Sequence, residues 1–459
     1  MDRDSHVPIR NLKEAKSFLA TNGLAFEEVL SSKTIADAIE RLGLDYRDRM
    51  YSPDLTLWTF LSQVLSEDKS CQAAVVKLIA FLLSKEKQAP SANTAAYSKA
   101  RGRLTEELLS HLTRQSGKEL EEQAKPEWLW RNRHVKLFDG STISMSDTKS
   151  NQEAYPQVKT QKAGVGFPIA RLVAIISYST AAIQDLALGT YCGKGSGEHG
   201  LLRELMHNLK SGDVVLGDCY YCTFFLISQL MSLGVDCVFP MHAARTCNFR
   251  KGVRLGKKDH VATWKKPQRP AWMDKETYES FPAEIKVREV SVNLSKPGFR
   301  AESRVLVTTF LDPKQTNKKD LAELYDRRWF VELDLRAIKQ TMKMDILRAK
   351  TPEMVRKEIW AHLLGYNLVR KVMAQAAHCY NKNPRQLSFK LAVQVIDTFR
   401  NIDLFDKKNE KVYKSILSLI AYKRVGDRGG RSEPRKVKRR RKPFPLLQKS
   451  RHHYHQEVA

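Results

Sequence analysis

From residue 134 onward, apolar runs too short to be independent helices alternate with helical patterns. This alternation restricts the chain to a layered α/β fold. HVKLFDGSTISM (134–145) opens the series, with VKLF reading as a strand that ends at Asp139 before a glycine turn. ARLVAIISYST (170–180) is almost continuously apolar, as a central strand covered on both faces is, and AAIQDLALGTY (181–191) reads as the next strand. GKGSGEHGLLRELMHNL (193–209) joins a glycine-rich entry to an apolar helical stripe. DVVLGDCYY (213–221) is a short apolar run ending in an acid. TFFLISQLMSLG (223–234) is a helix stopped by Gly234, and VDCVFPM (235–241) is a further strand.

The flanks differ in texture. Residues 1–125 read as helical, with helical spacing in LWTFLSQVL and AAVVKLIAFLL. TAAYSKARGRL (94–104) carries Lys99, Arg101 and Arg103, which make it either a DNA-contacting helix or an ordinary solvated basic face. Residues 245–305 are rich in Lys and Arg, contain Trp264 and Trp272, and end in the alternating patterns IKVREVSVNL and SRVLVTTFL. They predict a β-rich insertion with a basic surface. Helical signal returns at Asp320, whose spacing to Glu323 predicts a capping box for a helix running to about Met344. KRRRK at 438–442, with Arg439 and Arg440 at its centre, cannot pack in a core and is attracted to phosphates. The expected organisation is a helical DNA-binding domain (1–125), an α/β core in two parts (126–244 and 306–380), the insertion (245–305), and a helical, basic C-terminal region with a disordered tail (381–459).

The chain has 78 Lys and Arg against 51 Asp and Glu, a net charge of +27. Such an excess predicts a polyanionic partner, nucleic acid before a membrane surface. MDRDSHVPIR is too charged for a signal peptide, and no apolar stretch is long enough to span a bilayer. Seven scattered cysteines suit a reducing cytosol, and the lone CxxC of Cys219 and Cys222 lacks the second pair a zinc site needs.

Three acids stand where buried elements end: Asp139, Asp218 and Glu332. Acids flanked by apolar runs are costly unless paired or bound to a cation. Taken singly, Asp139 also reads as a turn residue and Asp218 as a helix cap. Asp147, Asp185 and Glu198 rank lower, Glu198 as an ordinary acid at a helix start. On a regular helix, with Tyr325 at 0°, Arg328 falls near 300°, Glu332 near 340° and Lys339 near 320°, a sector of about 60°. The buried stripe Val331, Leu335, Ile338, Met342 lies beside it at about 220–280°. An acid between two bases on the edge of a buried stripe suits the mouth of a cleft.

The spacing of Tyr325, Arg328, Glu332 and Lys339 resembles the signature of the IS-four family of insertion-sequence transposases, within the DDE, RNase H-like superfamily. DGST (139–142) and GDCYYCTFFL (217–226) are similar to the family's first and second acid motifs, and the β-rich insertion and the EPRKVKRRRKPFPLL ending are similar as well. One departure is Cys219, where the family more often has a basic residue; it bears on a DNA contact and not on the acids. The resemblance implies an RNase H-like core in which Asp139, Asp218 and Glu332 hold two Mg²⁺ ions, with Mn²⁺ substituting, for cleavage of element ends and their joining to target DNA. It implies DNA contacts by Tyr325, Arg328 and Lys339, and a base-stacking role for Trp329, for which burial in the core is the alternative. It also implies a homodimer on paired ends and a bacterial cytoplasmic, nucleoid-associated location, with no membrane and no small-molecule substrate. A nuclease without strand transfer and an inactive DNA-binding protein are the competing readings.

Overall fold

Among the described residues, nine strands collect the β-forming runs into one sheet. They are β1 (Val135–Ser144), β2 (Ile169–Ser177), β3 (Ile183–Thr190), β4 (Val214–Leu216), β5 (Asp236–Pro240), β6 (Val253–Gly256), β7 (Asp259–Lys265), β8 (Glu284–Leu294) and β9 (Glu302–Thr308). Their order across the sheet is β3-β2-β1-β4-β5-β9-β8-β7-β6. β1 is antiparallel to β2 and parallel to β4, and β4 is parallel to β5. The computed structural model describes residues 30, 32–46, 49–84, 89–193, 197–294, 302–399, 410–422, 447–450, 453 and 456.

The chain packs as two compact units. The first comprises 1–124, 179–184 and 336–425; the second comprises 125–178, 185–335 and 426–459. In the second unit, helices Glu198–Leu205 and Phe224–Ser232 lay Leu201, Leu202, Leu205, Ile227 and Leu230 on a sheet face built from Phe138, Val173, Ile175, Val215 and Phe239. The near-continuous apolarity of β2 follows from this burial: from Leu172 to Ser177 it has no exposed residue. In the first unit, helix Pro352–Cys379 is buried along most of its length. The Asn367 side chain accepts from the Ile183 backbone and donates to Thr113 and Ile183 carbonyls, so a polar group in that interior is satisfied.

Three sequence expectations are corrected. VKLF does not end at Asp139: β1 runs on to Ser144, and Asp139 pairs with Ala174 of β2 in mid-strand. The helix expected from Asp320 to Met344 is broken into Lys318–Asp326, Trp329–Arg336 and a π-helical turn, Ala337–Thr341. Its capping box is Asn317 with Asp320, one step earlier than the Asp320–Glu323 spacing suggested, because Asn317 accepts the Asp320 N–H and Asp320 accepts the Asn317 N–H. Beyond these corrections, the strands of the basic 245–305 stretch, expected as a β-rich insertion, continue the sheet, with β9 pairing antiparallel with β5.

Candidate active site

Backbone register brings the two aspartates together. The parallel ladder of β1 and β4 ends at the pair Leu137–Leu216. Asp139 and Asp218 each lie two residues beyond that rung, at the same level: Asp218 follows the carboxyl end of β4, and Asp139 stands mid-strand in β1 where its parallel pairing with β4 stops. Asp139 Oδ1 accepts the Gly140 N–H at 2.9 Å. Asp218 caps the following turn by accepting the Tyr220 N–H at 2.8 Å. The helix-cap reading of Asp218 and its place beside Asp139 therefore hold together.

Glu332 comes from helix Trp329–Arg336. The helix start is tied to the end of β2, where Arg327 donates to the Tyr178 hydroxyl and Phe330 packs 6.2 Å from the Tyr178 ring. Val331 and Leu335 are buried, which leaves Glu332 at the edge. Arg328 Nη2 donates to Glu332 Oε1 at 2.7 Å. Burial raises the Tyr325 hydroxyl above its ordinary range, against the opposing charge of Arg328, to which it is hydrogen-bonded. Burial works against the Arg328 charge, but Tyr325, Glu332 and Asp139 more than offset it and hold the guanidinium protonated.

Asp139 registers the crowding. Burial pushes its carboxyl up to about 7, against the pull of Arg328 and the Gly140 N–H, and Asp218 and Glu332 add repulsion. A fourth acid, ranked low on sequence, joins them. A Cβ at Gly140 would fall 2.4 Å from the Glu198 carboxyl carbon, so glycine leaves that volume to Glu198. The Tyr221 hydroxyl lies 3.4 Å from Glu198 Oε2. Burial raises the Glu198 carboxyl, Arg171 of β2 lowers it, and Asp218 raises it. The sequence signal for Gly140 was read as a turn; it marks close approach instead. Asp218 and Glu332 act on Asp139, and Asp218 acts on Glu198; carboxylate oxygens of this kind suit hard divalent cations.

The rim is aromatic and cationic. A groove of about 480 Å³ runs beside Asp218, lined by His199, Arg203, Tyr220, Phe225, Trp272 and Phe281. The Arg203 guanidinium lies 3.7 Å over the Trp272 ring. Trp329 is 43% exposed, so the core alternative for that side chain is excluded. The remaining expected residues lie elsewhere. Lys339 sits in the π-helical turn and belongs to the other compact unit. In helix Ala95–Arg103, Lys99 and Arg103 are exposed, while Arg101 donates to Gln63 and lies over Phe60 and Tyr97. Arg439 and Arg440 lie outside the described residues. Asp185 is buried and accepts from Leu186 N–H and Asn208, and Asp147 accepts from Gln152. Among the described residues, no helix is long and apolar enough to cross a membrane.

Comparison with known proteins meets this geometry. The family model of the transposase DDE domain matches residues 130–368, more than half of the chain, and spans all three acids. The chain is 24% identical over 412 residues, 88% of its length and 89% of the relative's, to the transposase InsG for insertion sequence element IS4 of Escherichia coli (strain K12). It is 33% identical over 73 residues, 16% of its length and 20% of the relative's, to the putative transposase InsL for IS186A of the same organism. Among solved structures it is similar to a piggyBac transposase synaptic complex with hairpin DNA, with TM-score 0.41, 10% identity, and coverage of 86% and 84% of the two chains. Enzymes of the DDE family generally use divalent metal ions. The chain belongs to the DDE transposase family and is a DNA transposase.

Proposed function

We propose that Asp139, Asp218 and Glu332 hold two Mg²⁺ ions, with Mn²⁺ able to substitute, and that this centre cleaves the ends of an insertion sequence and joins them to target DNA. The observation that carries the reading is the mutual repulsion of three half-buried carboxylates: burial pushes Asp139 up to about 7 against the pull of Arg328, and Asp218 and Glu332 add to the rise. Such a set is strained as anions alone and satisfied by cations. Bound there, the ions supply the charge neutralisation that in-line displacement at a phosphate needs. The strand order β3-β2-β1-β4-β5, antiparallel at β1–β2 and parallel through β1, β4 and β5, supports an RNase H-like core.

The chain's own groups do the positioning. Arg328 fixes the Glu332 carboxylate through their 2.7 Å ion pair and presents its remaining donors to a phosphate oxygen. Tyr325, hydrogen-bonded to Arg328, holds that guanidinium in place. Exposed Trp329 and the Arg203–Trp272 stack offer planar surfaces to unpaired bases. Lys99, Arg103, Lys339, Arg439 and Arg440 add phosphate contacts along the DNA. Two ends must be handled together, which calls for a homodimer on paired ends, acting in the bacterial cytoplasm on the nucleoid. The test is an assay with element-end DNA and Mg²⁺. Joined products from wild type, lost in Asp139→Ala while DNA binding persists, support the proposal. Hydrolysis without joining, for every end tested, refutes strand transfer.

A further inference from the structure

Away from the aspartates, β7 and β8 set His260 directly opposite Glu289 on a buried face, with 2% and 5% exposure. Cys247 reaches the same point from the segment between β5 and β6. His260 Nε2 lies 2.8 Å from Glu289 Oε2, Cys247 Sγ lies 4.0 Å from Nε2, and the three donor atoms are all within 4.8 Å of one another. We propose that Cys247, His260 and Glu289 form a zinc site that fastens the 241–252 segment to the sheet.

The surroundings are those of ligands already oriented. His260 Nδ1 lies 2.6 Å from the Lys251 carbonyl, which can only accept, so Nδ1 donates there and Nε2 faces the cluster. The second Glu289 oxygen accepts from Trp264 Nε1 at 2.7 Å, which fixes the carboxylate plane. A backbone carbonyl behind the histidine and a fixed carboxylate are the supporting contacts that metal-binding residues need. Thiolate, imidazole and carboxylate together select zinc over magnesium. Zn–N near 2.0 Å and Zn–S near 2.3 Å set tetrahedral ligand atoms about 3.3–3.6 Å apart. The observed 2.8 and 4.0 Å bracket that range. Binding would draw Cys247 in by about 0.5 Å and part His260 from Glu289 by a similar amount. A pocket of about 580 Å³ opens on the cluster, bordered by Arg245, Asn248 and Lys251, and gives water access to the fourth position.

The fastened segment is basic. The Arg245 guanidinium stacks 3.6 Å over Trp264, and Arg250, Lys251 and Arg254 are exposed. Zinc here would order cations for a polyanion, a structural role separate from the acids of the active site.

The test uses the full-length chain, purified with chelator, dialysed and titrated with Co²⁺ and then Zn²⁺. One equivalent of Co²⁺ should give a thiolate-to-cobalt charge-transfer band that Zn²⁺ abolishes. Cys247→Ser should remove the band, and His260→Gln should weaken uptake roughly tenfold or more. Cys219→Ser and Asp139→Asn should leave it unchanged, since Cys219 is an exposed thiol beside the active site. Absence of the band from wild type at millimolar Co²⁺ overturns the proposal whatever the variants do. So does a band that survives Cys247→Ser or disappears with Cys219→Ser. In that event His260 and Glu289 are a buried ion pair, and Cys247 only packs against it.

Discussion

At the scale of single residues, the metal role proposed for Asp139 would tie its acidity to metal loading. Its folded pKa of about 7 lies above the ordinary carboxylate value, so protonation favours the folded state. The stability it contributes is fully present below about pH 4 and is lost as pH rises toward 7. In chelator, the melting temperature should therefore fall between about pH 4 and 7 and level off above that, with a smaller fall in Asp139→Asn. Metal binding must displace the same proton. Apparent Mg²⁺ affinity should rise through pH 7 with proton release, measurable by calorimetry in buffers of different ionisation enthalpy. Asp139→Asn, Asp218→Asn and Glu332→Gln should each lower end cleavage about a thousandfold or more while DNA still shifts in a gel. Gly140→Ala places a methyl on the Glu198 carboxyl, and either the strand or the acid must move. Cleavage should drop with little change in DNA binding, and Glu198→Ala should restore part of it by vacating that space. The three acids were legible because each interrupts an apolar run. Glu198 was not, since an acid in a first helical turn is ordinary there, and only the fold shows that this turn faces β1.

At the scale of elements, helical arithmetic from a continuous helix placed Tyr325, Arg328 and Glu332 on one edge. The Arg328–Glu332 pair survives because it needs only four residues, although the helix breaks at Arg327. The arithmetic fails for Lys339, where the backbone winds as a π turn and a constant 100° per residue no longer holds. Neither the break nor the π turn has a proline or glycine to announce it. Asn317→Ala removes the capping box that starts the segment and should cost about 1 kcal/mol in denaturant unfolding. A larger effect belongs to the β7–β8 pair. Arg288 is fully buried, its Nε and Nη2 donating to Asp259 at 2.8 and 2.6 Å. Asp259→Ala strands that charge and should cost about 3–5 kcal/mol, with Arg288→Met in the same chain recovering much of it.

At the scale of the molecule, the net charge of +27 makes DNA affinity a function of salt. Binding to duplex DNA of arbitrary sequence should weaken by orders of magnitude between about 50 and 200 mM salt, as expected when several phosphates are neutralised. A flat salt profile in a filter-binding titration would contradict it. The charge was read directly from the sequence; the continuity of the sheet was not, because strand pairing between β5 and β9 joins residues about seventy positions apart in the chain. That continuity gives the molecule a measuring property. From β4, which carries Asp218 just past its end, to β7, which holds the basic 241–252 segment through His260, the sheet advances four strands: β5, β9, β8, β7. At about 4.8 Å per strand the separation is about 19 Å. If Asp218 cuts and the 241–252 segment grips DNA, as proposed above, a gauge of that length sets the distance along the strand between the grip and the cut phosphate.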